Sequence, residues 1–398
     1  MNDNEKERHE RRGLKMPKGT LFKGDKVTVK DNLTGVEVVR LSPNVGNTFH
    51  PYFTQPLISF DGRNVLVASD RTGSWQLYNM SVETGDMIQL TDEPDIRPGS
   101  SLLDPNTMRA FYWAGRKLKS VRLDTLEEDE YYAVPEGFHG SILSITSDGT
   151  ALHFAYSEDM NLSTVTNKIY SGMYETFFRR PSSVVMQVNV ADKSAKAIWG
   201  EREWISHVIT SPVDNDIVCF CHEGPWHLVQ RTWIVRASTC EVWPIVETKR
   251  YLERAGHEVF TRSGRICTQY GRRKSPAHDW ECADLFINPD GTNMKIYEYK
   301  PGRKPMHVQV NSTESYGVAD GAFIVGGPKD GNNYISLVKY ENGLAKQKIL
   351  CTHGTSWTAQ HSHPHPIWFP DDSKVLFTSD REGHCNVYIA TVDFDVFK

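Results

Sequence analysis

The densest run of metal-ligand chemistry in the chain is Gln360-His361-Ser362-His363-Pro364-His365-Pro366. On an extended strand, residues i and i+2 point to the same side, so His363 and His365 can face one ion together. His361 either shares that side or is lost to the preceding turn. Prolines at 364 and 366 stiffen the extended conformation and remove donors from the ladder. Neutral imidazole is a common metal ligand, and Gln360 can add a carbonyl oxygen. The competing reading is a polar loop whose histidines are satisfied by backbone groups. The His-x-His spacing favours the metal.

A second stretch, Cys221-His222-Glu223-Gly224-Pro225-Trp226-His227, closes a strand-like run. His222 and Glu223 could touch a substrate, or could be turn groups that pin the chain, and the sequence leaves both readings open. Arg231 opens the next strand-like run, Thr232-Trp233-Ile234-Val235. An arginine there could form a bidentate fork with a substrate carboxylate, or lie solvated at a strand edge. Arg272-Arg273-Lys274 reads as a solvated basic loop, one that would attract acidic sugars if it overhung a site.

These residues need a scaffold that brings distant segments together. Long helical periodicity is absent. Short β-branched and aromatic runs alternate with turn pairs such as Asp61-Gly62, Asp148-Gly149, Asp290-Gly291 and Asn342-Gly343, which argues for an all-β architecture. Residues 60–78 and 369–388 repeat one another, sharing Val-Leu, then Ser-Asp-Arg-x-Gly, then a tyrosine. Seven such units start near His50, Pro98, Gly140, Ile205, His257, His307 and His363. A spacing of roughly 40–65 residues suits propeller blades. The expected fold is therefore a seven-bladed β-propeller over residues 19–398, behind a disordered arm at residues 1–18. One of two strand-like runs between Thr20 and Leu41 should serve as the outer strand of the last blade and close the ring. The insert Asn161–Pro181 breaks the spacing and reads as a loop over one face.

A propeller lines its channel with the innermost strand of each blade, so one residue per blade can converge on one site. Histidines recur at that level: His50, His139, His207, His257, His307, His363 and His365, out of 15 in the chain. There is no Gly-x-Ser-x-Gly elbow or phosphate loop, which argues against a propeller peptidase. The net charge of -5 points neither to nucleic acid nor to an anionic membrane surface. The charged start of the chain lacks the apolar core of a secretory signal, and no run is long enough to span a membrane. Seven cysteines at irregular spacing read as free thiols. Together these features lead us to expect a cytoplasmic protein.

At this point the motifs match a known family. Gln360-x-x-His363-Pro364-His365-Pro366 with Phe369-Pro370-Asp371, Cys221-His222-Glu223-Gly224-Pro225, Gly256-His257-Glu258-Val259-Phe260, and His307 through Asp320-Gly321 resemble, in order and rough spacing, the oligogalacturonate lyases. The resemblance implies a seven-bladed propeller acting on short galacturonate oligomers in pectin breakdown. It implies one divalent cation, usually manganese, on His307, Gln360, His363 and His365. It implies His257 as the Brønsted base and Arg231 as a substrate-binding arginine, with His222 and Glu223 also near substrate. Where the family often has His-Asp after Gly-Pro, this chain has Trp226-His227. Two other readings remain: a non-catalytic binding propeller of the Tol-system type, and a lyase for another uronate oligomer.

Overall fold

The computed structural model describes residues 16–163, 172–322 and 333–397. Most of the expected arm, residues 1–15, lies outside that description. Its last residues are not loose as expected. The Met16 carbonyl accepts from Gln89 Nε2 at 3.0 Å, and Lys18 pairs with Glu128 at 3.1 Å.

The strands form antiparallel sheets arranged as seven blades. Their innermost strands are Thr48–Phe49, Leu102–Asp104, Phe138–Gly140 with Ser144–Ile145, Ile205–Thr210, Glu253–Phe260, Lys304–Val310 and Ile367–Trp368. The seven expected unit starts fall at or within a few residues of these strands. The fifth and sixth blades are joined at their outer edges by a single parallel bridge, Glu298 to Leu344. Within each blade the second strand is almost wholly buried, as in Asn64–Ser69 and Ile217–His222. Its two faces meet the neighbouring blades on either side, which is why these strands read as near-continuous apolar runs rather than alternating ones.

The chain's two ends close the ring. Glu37–Arg40 pairs with Asn386–Thr391, setting Val38 against Ala390 and Arg40 against Tyr388. Val27–Lys30 adds a further strand outside it, and Leu21–Phe22 lies along the outer edge of the first blade. The described part of the insert differs from the expected loop. It carries a short helix, Met173–Arg179, whose Met173 and Tyr174 reach the wall of the cavity that also holds His257, His307 and His363. Among the described residues no helix is long and apolar enough to cross a membrane, and the seven cysteines are unpaired.

One buried acid lies in the body of the fifth blade. Asp284 accepts from the Tyr340 hydroxyl at 2.7 Å and from the Tyr299 hydroxyl. Burial pushes its carboxyl up to about 6. A raised acid gives its full stability below the unfolded value and loses it as pH rises through the folded one. Relative to Asp284→Asn, the wild type should therefore lose roughly 3 kcal/mol between about pH 4 and pH 8. Denaturant unfolding of both proteins across that range checks this, and a difference that does not vary with pH would contradict it.

Candidate active site

Three successive blades break their inner-strand register at the same point. The shifts fall between Ile205 and Val208, between Gly256 and Val259, and between Pro305 and Val308. They bracket His207, His257 and His307, spaced 50 residues apart. A bulge re-aims side chains that strict alternation would send elsewhere. At His257 the backbone is left-handed, with φ of 51°, a conformation that costs a non-glycine residue of order 1–2 kcal/mol. The bulge lets His257 face the cavity while its neighbour Glu258 reaches Arg231.

His307, His363 and His365 converge, with one candidate ligating atom from each lying within 4.8 Å of the others. Asp320 organises two of them. It accepts from the His307 backbone N–H at 2.9 Å, from His307 Nδ1 at 2.9 Å, and from the His365 backbone N–H at 3.0 Å. His307 Nε2 is thereby left for a ligand. His363 Nδ1 and His365 Nε2 are buried without a hydrogen-bond partner. Burial holds all three imidazoles below their ordinary range, that is, neutral. His50 supports the His-Pro-His strand from behind, its Nε2 lying 3.2 Å from the Pro364 carbonyl. Tyr52 and Phe53 pack their rings against His307 and His365. Gln360 is exposed on a short 3-10 turn and lines the same cavity as His307 and His363. His361 leaves the group and packs between Phe49 and Trp75.

His257 stands beside this triad, its ring 4.4 Å from that of His307. Its Nδ1 lies 2.6 Å from the Met306 carbonyl oxygen and 2.9 Å from Gln269 Oε1. A carbonyl can only accept, so Nδ1 carries the proton and Nε2 keeps its lone pair. Burial, then the nearby Arg231 charge, hold the imidazole below its ordinary range. The Trp226 ring meets His257 edge-on at 4.7 Å. That ring fits only because residue 256 is glycine, where a Cβ would lie 2.5 Å from the indole. The cavity is about 480 Å³ and is lined by His257, His307, His363, Gln360, Trp226 and Arg254, among others.

Arg231 is placed differently from its expected role. It is 1% exposed, and its guanidinium donates to Glu223 at 2.6 Å and to Glu258 at 3.0 Å. The fork expected to take a substrate carboxylate is thus occupied by two of the protein's own. Burial pushes both glutamates up, but the Arg231 guanidinium more than offsets this and leaves them below the ordinary range. Neither His222 nor Glu223 lines the His257 cavity, although Glu223 lines a separate one with His139 and His207. His222 turns to Glu201, 2.7 Å away, and packs on Trp233. Glu223 instead holds Arg231. His207, noted only as one channel histidine, proves central to this cluster. Its Nδ1 lies 3.1 Å from Arg231 Nη2, which can only donate, so His207 keeps its proton on Nε2. The 50-residue period was the signal that marks it out.

A model of the family "Oligogalacturonate lyase" matches residues 16–396. The chain belongs to the oligogalacturonate lyase family. The oligogalacturonate lyase of Dickeya dadantii is 28% identical, the match covering 96% of this chain and all of that one. The oligogalacturonide lyase of Pectobacterium atrosepticum is 27% identical over 95% of this chain and the whole of that protein. Among solved structures, an oligogalacturonate lyase in complex with manganese superposes with a TM-score of 0.85, at 28% identity, covering 96% of this chain and 100% of that one. The oligogalacturonate lyase of Vibrio parahaemolyticus superposes with a TM-score of 0.84, at 27% identity, covering 95% and 100%.

The residues present fit a divalent cation. The two orphaned imidazole nitrogens are otherwise unexplained costs of burial. A carboxylate bound to the far nitrogen of a ligand histidine is the usual outer support of a metal site. Asp320→Asn should weaken manganese binding roughly 10–100-fold, measured by calorimetric titration of the metal-stripped protein. Unchanged affinity would remove Asp320 from the site.

Proposed function

We propose that this chain is a metal-dependent oligogalacturonate lyase that cleaves short galacturonate oligomers by β-elimination. The observation that carries the reading is a neutral imidazole with a bare Nε2, His257, set against the histidine triad in one cavity.

The reaction removes a proton from C5 of a uronate and breaks the C4–O bond, leaving a 4,5-unsaturated sugar while the departing oxygen takes a proton from water to become the hydroxyl of the other fragment. The C5 proton is weakly acidic because the adjacent ionised carboxylate resists further negative charge. A divalent cation such as manganese, held by His307, His363 and His365 with Gln360 beside them, would supply Lewis-acid stabilisation of that charge. His257 takes the proton at Nε2. Its Nδ1–H bond to the Met306 carbonyl fixes the tautomer and steadies the ring as it becomes charged. Arg231 acts through its field rather than by touching substrate. With burial, it keeps His257 from binding a proton in advance. Tyr52, Phe53 and Trp226 crowd water from the imidazoles.

A lyase for a different uronate would use the same machinery. The observation favouring that second reading is the cavity wall, where Trp226 stands at the departure from the family pattern and Met173 and Tyr174 come from the insert that breaks the blade spacing. The binding-module alternative leaves the two orphaned imidazole nitrogens of His363 and His365 without a purpose.

The test is ultraviolet absorbance of the unsaturated product from digalacturonate, with manganese and after chelation, beside a glucuronate-containing dimer. A manganese-dependent rise with digalacturonate is expected. His257→Ala should lose about 10²–10⁴ in kcat. Because the His257 value is lowered, the acid limb of kcat/KM should lie below pH about 6.5. A His257→Ala protein of near-full activity would rule out the base, and product from the glucuronate dimer alone would move the substrate.

A further inference from the structure

Resting on the lyase reading of this site, we propose that Arg254 binds the carboxylate of the second, non-reacting uronate. Arg254 lies on the same inner strand as His257, three residues earlier, and lines the same cavity as His257, His307 and His363. Arg231, the arginine expected to meet substrate, is enclosed by Glu223 and Glu258. Among the described residues, Arg254 has no carboxylate within ion-pair distance. Its guanidinium instead lies 4.4 Å over the Trp280 ring and 3.7 Å from Cys282 Sγ. Both partners orient a cation without neutralising it.

The surroundings support an anion there. Arg273 stacks on the same Trp280 ring at 4.3 Å, and its other bonds go to the carbonyls of Tyr251 and Pro276. Of the basic run read from the sequence, Arg272 is matched by Glu281 and Glu298, so the uncompensated charge nearest the Trp280 ring lies with Arg254 and Arg273, with Lys274 beyond them. The strand also makes room for this arrangement. Gly271 lies opposite Arg254 in the ladder, and a Cβ on it would stand 2.8 Å from Arg254 Nε. At Tyr270, Cys282 and Ala283 the cavity borders a second groove, lined by the outer strands of the fifth blade and the connector at residues 299–303, giving a longer oligomer somewhere to run. One carboxylate would thus sit by the histidine triad and the next on a planar, always-charged fork.

The experiment compares digalacturonate with the same dimer methyl-esterified on the non-reacting residue, using the manganese-loaded wild type, Arg254→Met, Arg254→Lys and Gly271→Ala. In the wild type the ester should raise KM roughly tenfold or more. Arg254→Met should raise KM for the free acid by a similar factor, with kcat within a few-fold, and should show no further penalty from the ester. Arg254→Lys should fall between, since a point charge replaces the fork. Gly271→Ala, which keeps every charge but crowds Arg254, should also raise KM. Wild-type KM in Arg254→Met, or an ester penalty that survives in it, would overturn the proposal. If the wild type forms no unsaturated product, the lyase reading fails separately. Calorimetric titration of digalacturonate then decides the subsite: weaker binding in Arg254→Met sustains it, and equal or absent binding in both overturns it.

Discussion

The site hangs on a single buried carboxylate. Asp320 sits on the second strand of the sixth blade and bonds inward to His307 and across to the backbone of His365 in the next blade. Two blades that share no strand pairing are thereby set in register at the point where their histidines meet. Its oxygens take three donors, so the carboxylate, pushed up by burial, is balanced by hydrogen bonds rather than by a cation of the protein. The left-handed backbone at His365, with φ of 44°, persists because this bond and the His50 contact to Pro364 hold it from both sides.

Next to it the chain solves a second electrostatic problem. Arg231, Glu223 and Glu258 form a buried group of one cation and two anions, with His207 closing the fourth side. Breaking such a group by removing one partner costs about 3–5 kcal/mol, which explains why it is enclosed. The two channel histidines on either side of Arg231 hold their protons on opposite nitrogens. A backbone carbonyl fixes Nδ1–H in His257, and a guanidinium forbids it in His207. The protonation pattern of the channel is therefore written by groups with no freedom to reverse their roles.

Much of this was legible in the sequence. The turn pairs and the Ser-Asp-Arg-x-Gly repeat revealed blades, and the His-x-His run revealed His363 and His365, because those features are local and periodic. What the sequence hid depends on partners far away in the chain. Nothing near Arg231 reveals that Glu258, which comes 27 residues later, will occupy its fork. Nothing near Arg254 reveals Trp280 beneath it. His222 and Glu223 look equally chemical as text, yet the strand's alternation sends them to different neighbours, and neither faces the cavity of His257 and His307. The bulges were invisible for the same reason: a register shift belongs to a pair of strands, not to one.

The seam that closes the ring has a consequence for the protein's birth. Glu37–Arg40 leaves the ribosome about 350 residues ahead of its partner Asn386–Thr391. At about 5–20 residues per second, it waits on the order of 20–70 s with one edge open. Through that interval the nascent chain is an arc of blades with two unsatisfied ends, the kind of exposed strand edge that pairs with other chains. The wider N-terminal strap, with Val27–Lys30 folded back as a hairpin onto Glu37–Arg40, covers the other side of that strand during synthesis. Translation speed and chaperone access, more than equilibrium stability, should then govern how much of the protein reaches the closed ring.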